Sequence, residues 1–170
     1  MKKRFLILIA IFLFCVGSAK AQVVWGVRAG GNSLVFTRYN LSGKPNIEIG
    51  PILNYPLKYN FYLNTAIMFG IKSFVHNEDT DNSRYESNKL FLFIPSYIGY
   101  YFLLSKRTSF FFQAGPFLEN WDSSQCAGVA TMTGINIQRI NIEIGYRAAV
   151  ESNYFLLKQN TLFMGVSYIF

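Results

Sequence analysis

The most constraining feature of this sequence is an alternation of apolar residues with polar or small ones, which recurs over most of the chain after residue 22. In the segment 140–147 (INIEIGYR), Ile or Tyr stands at every second position, with Asn, Glu, Gly and Arg between them. Because successive side chains of a β-strand point to opposite faces, such a segment forms a strand with one apolar face and one polar face. No segment in this region keeps a helical period, so the chain is predicted to be all-β.

Eight strands are predicted from this alternation, and long connections alternate with short ones along the chain. The predicted strands span residues 23–32, 45–56, 60–75, 88–102, 108–118, 127–138, 139–152 and 161–170. The connections after the first, third and fifth strands are predicted to be long, whereas those after the second, fourth and sixth are short. A meander with its long loops at one end and its turns at the other has this arrangement. We therefore predict an eight-stranded antiparallel up-and-down β-barrel.

The alternation alone does not tell which face of the barrel points inward. A soluble barrel, such as a lipocalin-type protein that binds an apolar ligand, packs its apolar face inside, whereas a transmembrane barrel turns that face to lipid. Only 15% of the residues are charged, against about 25% in soluble domains. The polar faces are rich in Gly, Asn and Ser, and 17 Phe and 11 Tyr exceed what one small core needs. These features favour a transmembrane β-barrel.

The first 21 residues are predicted to form a cleavable signal peptide that precedes a barrel domain at residues 22–170. A basic start, Lys2 to Arg4, leads into an apolar run at 5–16 and then into Ala19-Lys20-Ala21. The run is too short for a transmembrane helix, which needs about 20 residues, and the small residues suit cleavage before Gln22. A retained N-terminal anchor is the alternative. Cleavage would remove four basic residues. The excess of Lys and Arg over Asp and Glu in the full sequence therefore does not indicate a nucleic-acid partner.

The C-terminal segment 162–170 (LFMGVSYIF) resembles the last strand of bacterial outer-membrane proteins, in which alternating apolar residues end in a terminal aromatic. The resemblance implies an assembly signal, read by the barrel-assembly machinery, at Val166, Tyr168 and Phe170. Other short segments resemble small outer-membrane β-barrel proteins common in Bacteroidetes, often labelled PorT-like or porin-family. These segments are 25–31 (WGVRAGG), 93–95 (FIP), 100–102 (YYF), 112–116 (FQAGP) and 144–147 (IGYR), with the Ala21-Gln22 junction.

This resemblance implies a location in the outer membrane of a Gram-negative cell. The implied partners are outer-membrane lipid and lipopolysaccharide, and membership of a larger outer-membrane complex is compatible with it. One difference is Phe93, where many relatives carry a glutamate before the Ile-Pro pair.

Five charged residues fall on the predicted polar faces and are therefore expected to point into the lumen: Arg28, Glu48, Lys72, Glu143 and Arg147. An eight-stranded barrel is just wide enough for side chains to fill its interior. Charges in such a space must pair, because an uncompensated buried charge costs several kcal/mol. We predict an Arg/Lys–Glu network that plugs the barrel. The alternative is a narrow pore, whose small cationic excess would slightly favour anions.

Catalytic chemistry has little support in the sequence. His76 is the only histidine and has acidic residues and serines nearby, which leaves open a lipid-modifying barrel enzyme. The acidic segment 79–84 (DTDNSR) lacks the turn glycine of a calcium loop. No phosphate-binding glycine loop, zinc-ligand spacing or nucleophile elbow is present. No catalytic, cofactor-binding or metal-binding residue is therefore predicted.

Most of the Trp and Tyr residues lie near predicted strand ends, which indicates aromatic girdles at the membrane surfaces. They are Trp25, Tyr55, Tyr59, Tyr97, Tyr100, Tyr101, Trp121, Tyr146 and Tyr168. The leading functional hypothesis is a structural or interaction protein of the outer membrane. The alternatives are a narrow pore, a component of a transport or secretion complex, and the lipid-modifying enzyme that would use His76.

Overall fold

The structure, a computed structural model, describes residues 23–36, 41–43, 45–77, 84–121, 124–152 and 160–170. These residues form ten strands: β1 (Val24–Phe36), β2 (Leu41–Gly43), β3 (Asn46–Pro56), β4 (Phe61–Ala66), β5 (Met68–Asn77), β6 (Arg84–Leu103), β7 (Thr108–Trp121), β8 (Ser124–Ile137), β9 (Ile140–Ser152) and β10 (Asn160–Ile169). The predicted signal peptide and the acidic segment 79–83 lie outside the described residues. In the part of the chain that is described, no helix is long and apolar enough to cross a membrane.

The ten strands form one antiparallel sheet that closes on itself, because β1 pairs with both β3 and β10. β4 and β5 are two parts of one barrel strand, interrupted at Ile67, and both pair with β3 on one side and β6 on the other. β2 pairs with β5 beside β3 and extends that barrel strand. The predicted closed eight-stranded antiparallel barrel is therefore confirmed.

Apolar side chains cover the outside of the barrel, and polar or charged side chains lie inside it. Ile47 on β3 is 74% exposed, whereas its neighbour Glu48 is completely buried. The same alternation continues on β9, where Ile142 is exposed and Glu143 is buried. This distribution is the reverse of that in a water-soluble barrel, which buries its apolar face.

Large aromatic side chains fill the interior against inward-facing glycines. Phe93 and Phe163 are fully buried. A side chain on an inward glycine would collide with a ring in each of these pairs: Gly30 and Gly165 with Phe163, Gly70 with Phe91, Gly99 with Tyr62, Gly128 with Phe117, and Gly134 with Phe111. β8 is rich in small residues, and its glycines Gly128 and Gly134 leave space for the rings of Phe117 and Phe111 that lie against it.

The two ends of the barrel differ. At one end, here called the turn end, lie the short turns 57–60, 104–107 and 138–139, together with the start of β1 and the end of β10. Tyr59 and Asn60 both have left-handed backbone conformations, with φ of 58° and 64°, as a type I′ hairpin turn requires. The opposite end, here called the loop end, carries the other connections.

Several strands extend further toward the loop end than the alternation predicts. β6 begins at Arg84 instead of 88, and it pairs with β5 as far as Asn77. β7 continues to Trp121 and β8 starts at Ser124, so the predicted long connection after the fifth strand is wrong. Backbone hydrogen bonds continue past the last outward apolar residue, since pairing does not require an apolar face. The alternation therefore marks the apolar band and not the full length of the strands.

An outward aromatic belt lies at the turn end. Trp25 stacks on Phe170 with ring centroids 4.3 Å apart, and Phe61, Tyr100 and Phe102 form consecutive edge contacts at 4.9 and 4.8 Å. The girdle prediction is wrong for Tyr97 and Tyr101, which share the inward face of β6 with Phe93. Tyr97 is only 2% exposed, and Tyr101 stacks on Tyr62 inside the barrel at 4.3 Å.

Candidate functional site

The candidate site is the middle of the lumen, where the structure places four of the five predicted charges. Arg28, Glu48, Glu143 and Arg147 are each at most 3% exposed. They come from β1, β3 and β9, and each occupies the inward position of an alternating strand. The fifth residue, Lys72, lies on β5 opposite Lys89 of β6, and its side chain lies outside the described residues.

Arg147 and Glu48 form a two-pronged ion pair across the lumen. The Nη1 atom of Arg147 donates to Oε2 of Glu48 at 2.8 Å, and its Nη2 donates to Oε1 of the same carboxylate. The guanidinium carbon lies 3.7 Å from the centroid of the Phe93 ring and 5.1 Å from that of Phe163. Such fork-like pairing and cation–π contact fix the orientation of the guanidinium. Phe93 thus provides an aromatic face for Arg147.

Glu48 is also held from its own side of the barrel. Asn32 donates from Nδ2 to Oε2 of Glu48 at 2.7 Å, and Asn46 donates to Oδ1 of Asn32 at 3.3 Å. The backbone N–H of Ser73 donates in turn to Oδ1 of Asn46 at 2.7 Å. The carboxylate is therefore bound directly from β1 and β9, and Asn32 is connected through Asn46 of β3 to β5.

Arg28 and Glu143 form a second pair, from β1 to β9. The Nε atom of Arg28 lies 2.5 Å from Oε1 of Glu143, and its Nη2 donates to Oε2 at 3.4 Å. The same Nη2 contacts Oδ1 of Asn64 at 3.5 Å, and Asn64 donates to Oδ1 of Asn54 at 2.5 Å. The second pair is thereby connected to β4 and β3, so the two pairs together link widely separated strands.

Several buried polar residues of the lumen were not predicted. The most important is Glu119, which is 5% exposed and lies on β7 opposite Phe93 and Cys126. The alternation of β7 would have placed Glu119 on the inward face with Gln113 and Phe117, had the predicted strand not ended at 118. The others form an uncharged polar lining: Asn32, Asn46, Asn54, Asn64, Ser109, Gln113, Asn141, Thr161 and Ser167.

Among the described side chains, no arrangement supports the enzymatic alternative. His76 pairs with Tyr85 through the backbone of β5 and β6, and its side chain lies outside the described residues. Within the described ranges, no group of three or more His, Cys, Asp or Glu side chains could hold a metal ion. The described lumen therefore presents ion pairs and aromatic rings, an arrangement that fixes strands relative to one another.

No protein-family model and no curated protein matches the chain. Among solved structures, the chain is similar to the outer membrane protein OprG from Pseudomonas aeruginosa, with a TM-score of 0.57 and 8% identity over 87% of this chain and 94% of that one. It is also similar to Neisserial surface protein A, with a TM-score of 0.61 and 14% identity over 89% of this chain and the whole of that one. The chain has the fold of small outer-membrane β-barrels. At these identities the likeness shows the fold alone.

Proposed function

We propose that this chain is an outer-membrane β-barrel with a plugged lumen and a structural or interaction role at the cell surface. One observation carries the proposal: charged residues are buried in the lumen while large apolar residues cover the outside. Ile47 and Leu90 are 74% and 76% exposed, and such a continuous apolar surface is stable against lipid but not against water. A closed barrel satisfies its backbone hydrogen bonds internally, as a membrane requires.

Export and assembly follow from the two ends of the sequence. The N-terminal segment 1–21 has the pattern of a cleaved signal peptide, which suits transport across the inner membrane. Val166 and Tyr168 lie on the outward face of β10, and Phe170, which directly follows the strand, is exposed as well, so that the assembly machinery can contact all three before the barrel closes. The motif resemblance to PorT-like proteins supports the same location, with outer-membrane lipid and lipopolysaccharide as the surroundings.

The packed lumen favours a structural or interaction role over a pore. Arg147 is paired with Glu48 and lies close to the rings of Phe93 and Phe163, and Arg28 is paired with Glu143. Both pairs are neutral overall and fully desolvated, so they offer neither an open path nor a selective charge to a passing ion. The loop end is then the surface available for a partner at the cell exterior.

Conductance across a planar lipid bilayer tests this proposal. We expect the folded wild-type barrel to give no steady channel steps, because the two ion pairs and the rings occupy the lumen. A variant with Glu48→Ala and Arg147→Ala removes one pair completely and leaves neither charge alone. It is expected to open small steady conductance steps, which shows that the assay detects an unplugged barrel. Steady conductance of the wild-type protein, at a level similar to that of the double variant, would instead favour the pore.

A further inference from the structure

The turn end carries four exposed cationic side chains and, in its described residues, no acidic one. The four lie on three separate turns: Lys58, Lys106, Arg107 and Arg139. The carboxylates whose side chains the structure describes, Glu48, Glu119 and Glu143, are all buried in the lumen. Among the described residues, none of the four cations has an ion-pair partner. These four residues therefore form a cationic rim at the turn end.

Backbone hydrogen bonds hold the cationic rim in place. The N–H of Gln138 donates to the carbonyl of Arg107 at 2.8 Å, which joins two neighbouring turns. The N–H of Ile169 donates to the carbonyl of Arg139 at 2.8 Å, and that of Phe170 donates to the carbonyl of Trp25 at 2.9 Å. The turns that carry Arg107 and Arg139 are thus joined to each other and to the end of β10, and the N–H of Tyr101 joins the turn that carries Lys58 to β6 by donating to the carbonyl of Asn60 at 3.0 Å. These bonds fix the backbone positions from which the four cations extend.

The cationic rim lies next to the outward aromatic belt. Phe61 follows the turn that carries Lys58, and Phe102 and Phe110 lie on either side of the turn that carries Lys106 and Arg107. Toward the turn end, aromatic side chains join the aliphatic ones on the outside of the barrel, exposed leucines such as Leu103 and Leu104 follow them, and the cationic rim lies beyond. Hydrocarbon, interface and anionic headgroup follow one another in the same order across a membrane leaflet.

We propose that the cationic rim docks on the headgroups of anionic glycerophospholipids in the leaflet at the turn end. The proposal rests on the proposed membrane location and adds the lipid class that this end recognises. Lys and Arg close to an anionic membrane surface are each attracted to it. The four cations are distributed over three turns around the rim instead of forming one face, which suits a sheet of headgroups better than a single polyanionic partner.

Fluorescence of Trp25 reports on the lipid beside the cationic rim. Trp25 lies outward in the aromatic belt and is 56% exposed, and a Trp121→Phe variant leaves it as the only tryptophan. This variant is placed in nanodiscs of phosphatidylcholine with a minority of phosphatidylglycerol, and bromine atoms are carried on the acyl chains of one lipid or the other. Per mole of brominated lipid, we expect phosphatidylglycerol to quench Trp25 on the order of twofold more than phosphatidylcholine does.

Two comparisons connect this preference to the cationic rim. Changing all four residues to Gln (K58Q, K106Q, R107Q and R139Q) is expected to equalise the quenching by the two lipids. About 1 M salt is expected to have the same effect on the unchanged rim, because the Debye length then falls to about 3 Å. A loop-end control carries Leu90→Trp with both natural tryptophans changed to Phe. Leu90 is outward and 76% exposed, and this control is expected to show no preference for phosphatidylglycerol.

Equal quenching of Trp25 by the two lipids in the otherwise unchanged barrel would overturn the docking proposal and leave the membrane location standing. A preference that survives the four substitutions would overturn it as well. If neither brominated lipid quenches Trp25, the proposed membrane location itself fails.

Discussion

Replacing Glu48 by alanine is expected to lower the free energy of unfolding by about 3–5 kcal/mol. The substitution leaves the Arg147 guanidinium, which is 3% exposed, without its carboxylate in a desolvated space. Asn32 also loses the acceptor of its 2.7 Å hydrogen bond. Urea unfolding of the barrel in lipid vesicles, followed by the loss of strand circular dichroism, measures the change. Glu143→Ala is expected to act in the same direction, because Arg28 loses its partner.

Two controls separate this loss from a general effect of removing a carboxylate. Glu78→Ala changes a residue of the connection between β5 and β6, and it is expected to alter the free energy by no more than about 0.5 kcal/mol. Glu48→Leu combined with Arg147→Met removes both charges, and it is expected to recover much of the stability. If Glu48→Ala and Glu78→Ala had equal effects, Glu48 would be a solvated surface residue and the assigned faces of the barrel would be reversed.

Replacing Gly134 by valine is expected to lower the free energy of unfolding by about 1–3 kcal/mol, because the new side chain overfills the lumen. A Cβ atom at this position would lie 2.8 Å from Cζ of Phe111 and would also collide with the carbonyl oxygen of Ile142. The same unfolding measurement in vesicles applies.

Gly31→Val is the matched control for this substitution, since Gly31 is an outward-facing glycine of β1. A Cβ there would meet nothing closer than the carbonyl oxygen of Asn46 at 3.5 Å, so little change is expected. Combining Gly134→Val with Phe111→Leu should recover part of the loss by shortening the ring side chain. If neither Gly134→Val nor Gly31→Val changed the free energy of unfolding, the interior would have more free space than the structure indicates.

The alternation predicts the architecture and the faces because both depend on local geometry. A period of two separates the two faces of each strand, and the low charge and high aromatic content indicated that the polar face points inward, which placed Arg28, Glu48, Glu143 and Arg147 together in the lumen. Their pairing could not be predicted, since Glu48 and Arg147 are 99 residues apart. Which carboxylate meets which guanidinium depends on the registers of all the strands between them around the closed barrel.

The aromatic interior was missed for a related reason. Tyr97 and Phe93 belong to a strand whose two faces are both apolar, so the alternation of β6 carries no contrast between inside and outside. Glu119 was missed because polar residues near the loop end were taken as the end of the strand. The pairing of β7 with β8 continues as far as Trp121 and Ser124, and only backbone hydrogen bonds reveal this.

In the membrane, lipid is expected to surround the apolar face of the barrel while the polar face stays enclosed. Isoleucine-methyl NMR of the barrel, in nanodiscs containing lipid with a nitroxide on its acyl chain, distinguishes the two faces. The outward isoleucines, among them Ile49, Ile98 and Ile144, are expected to broaden, whereas Ile52, which is 1% exposed inside the barrel, should keep its signal. Broadening of Ile52 by the lipid probe, or broadening of the outward isoleucines by a water-soluble paramagnet only, would contradict the assignment of the two faces.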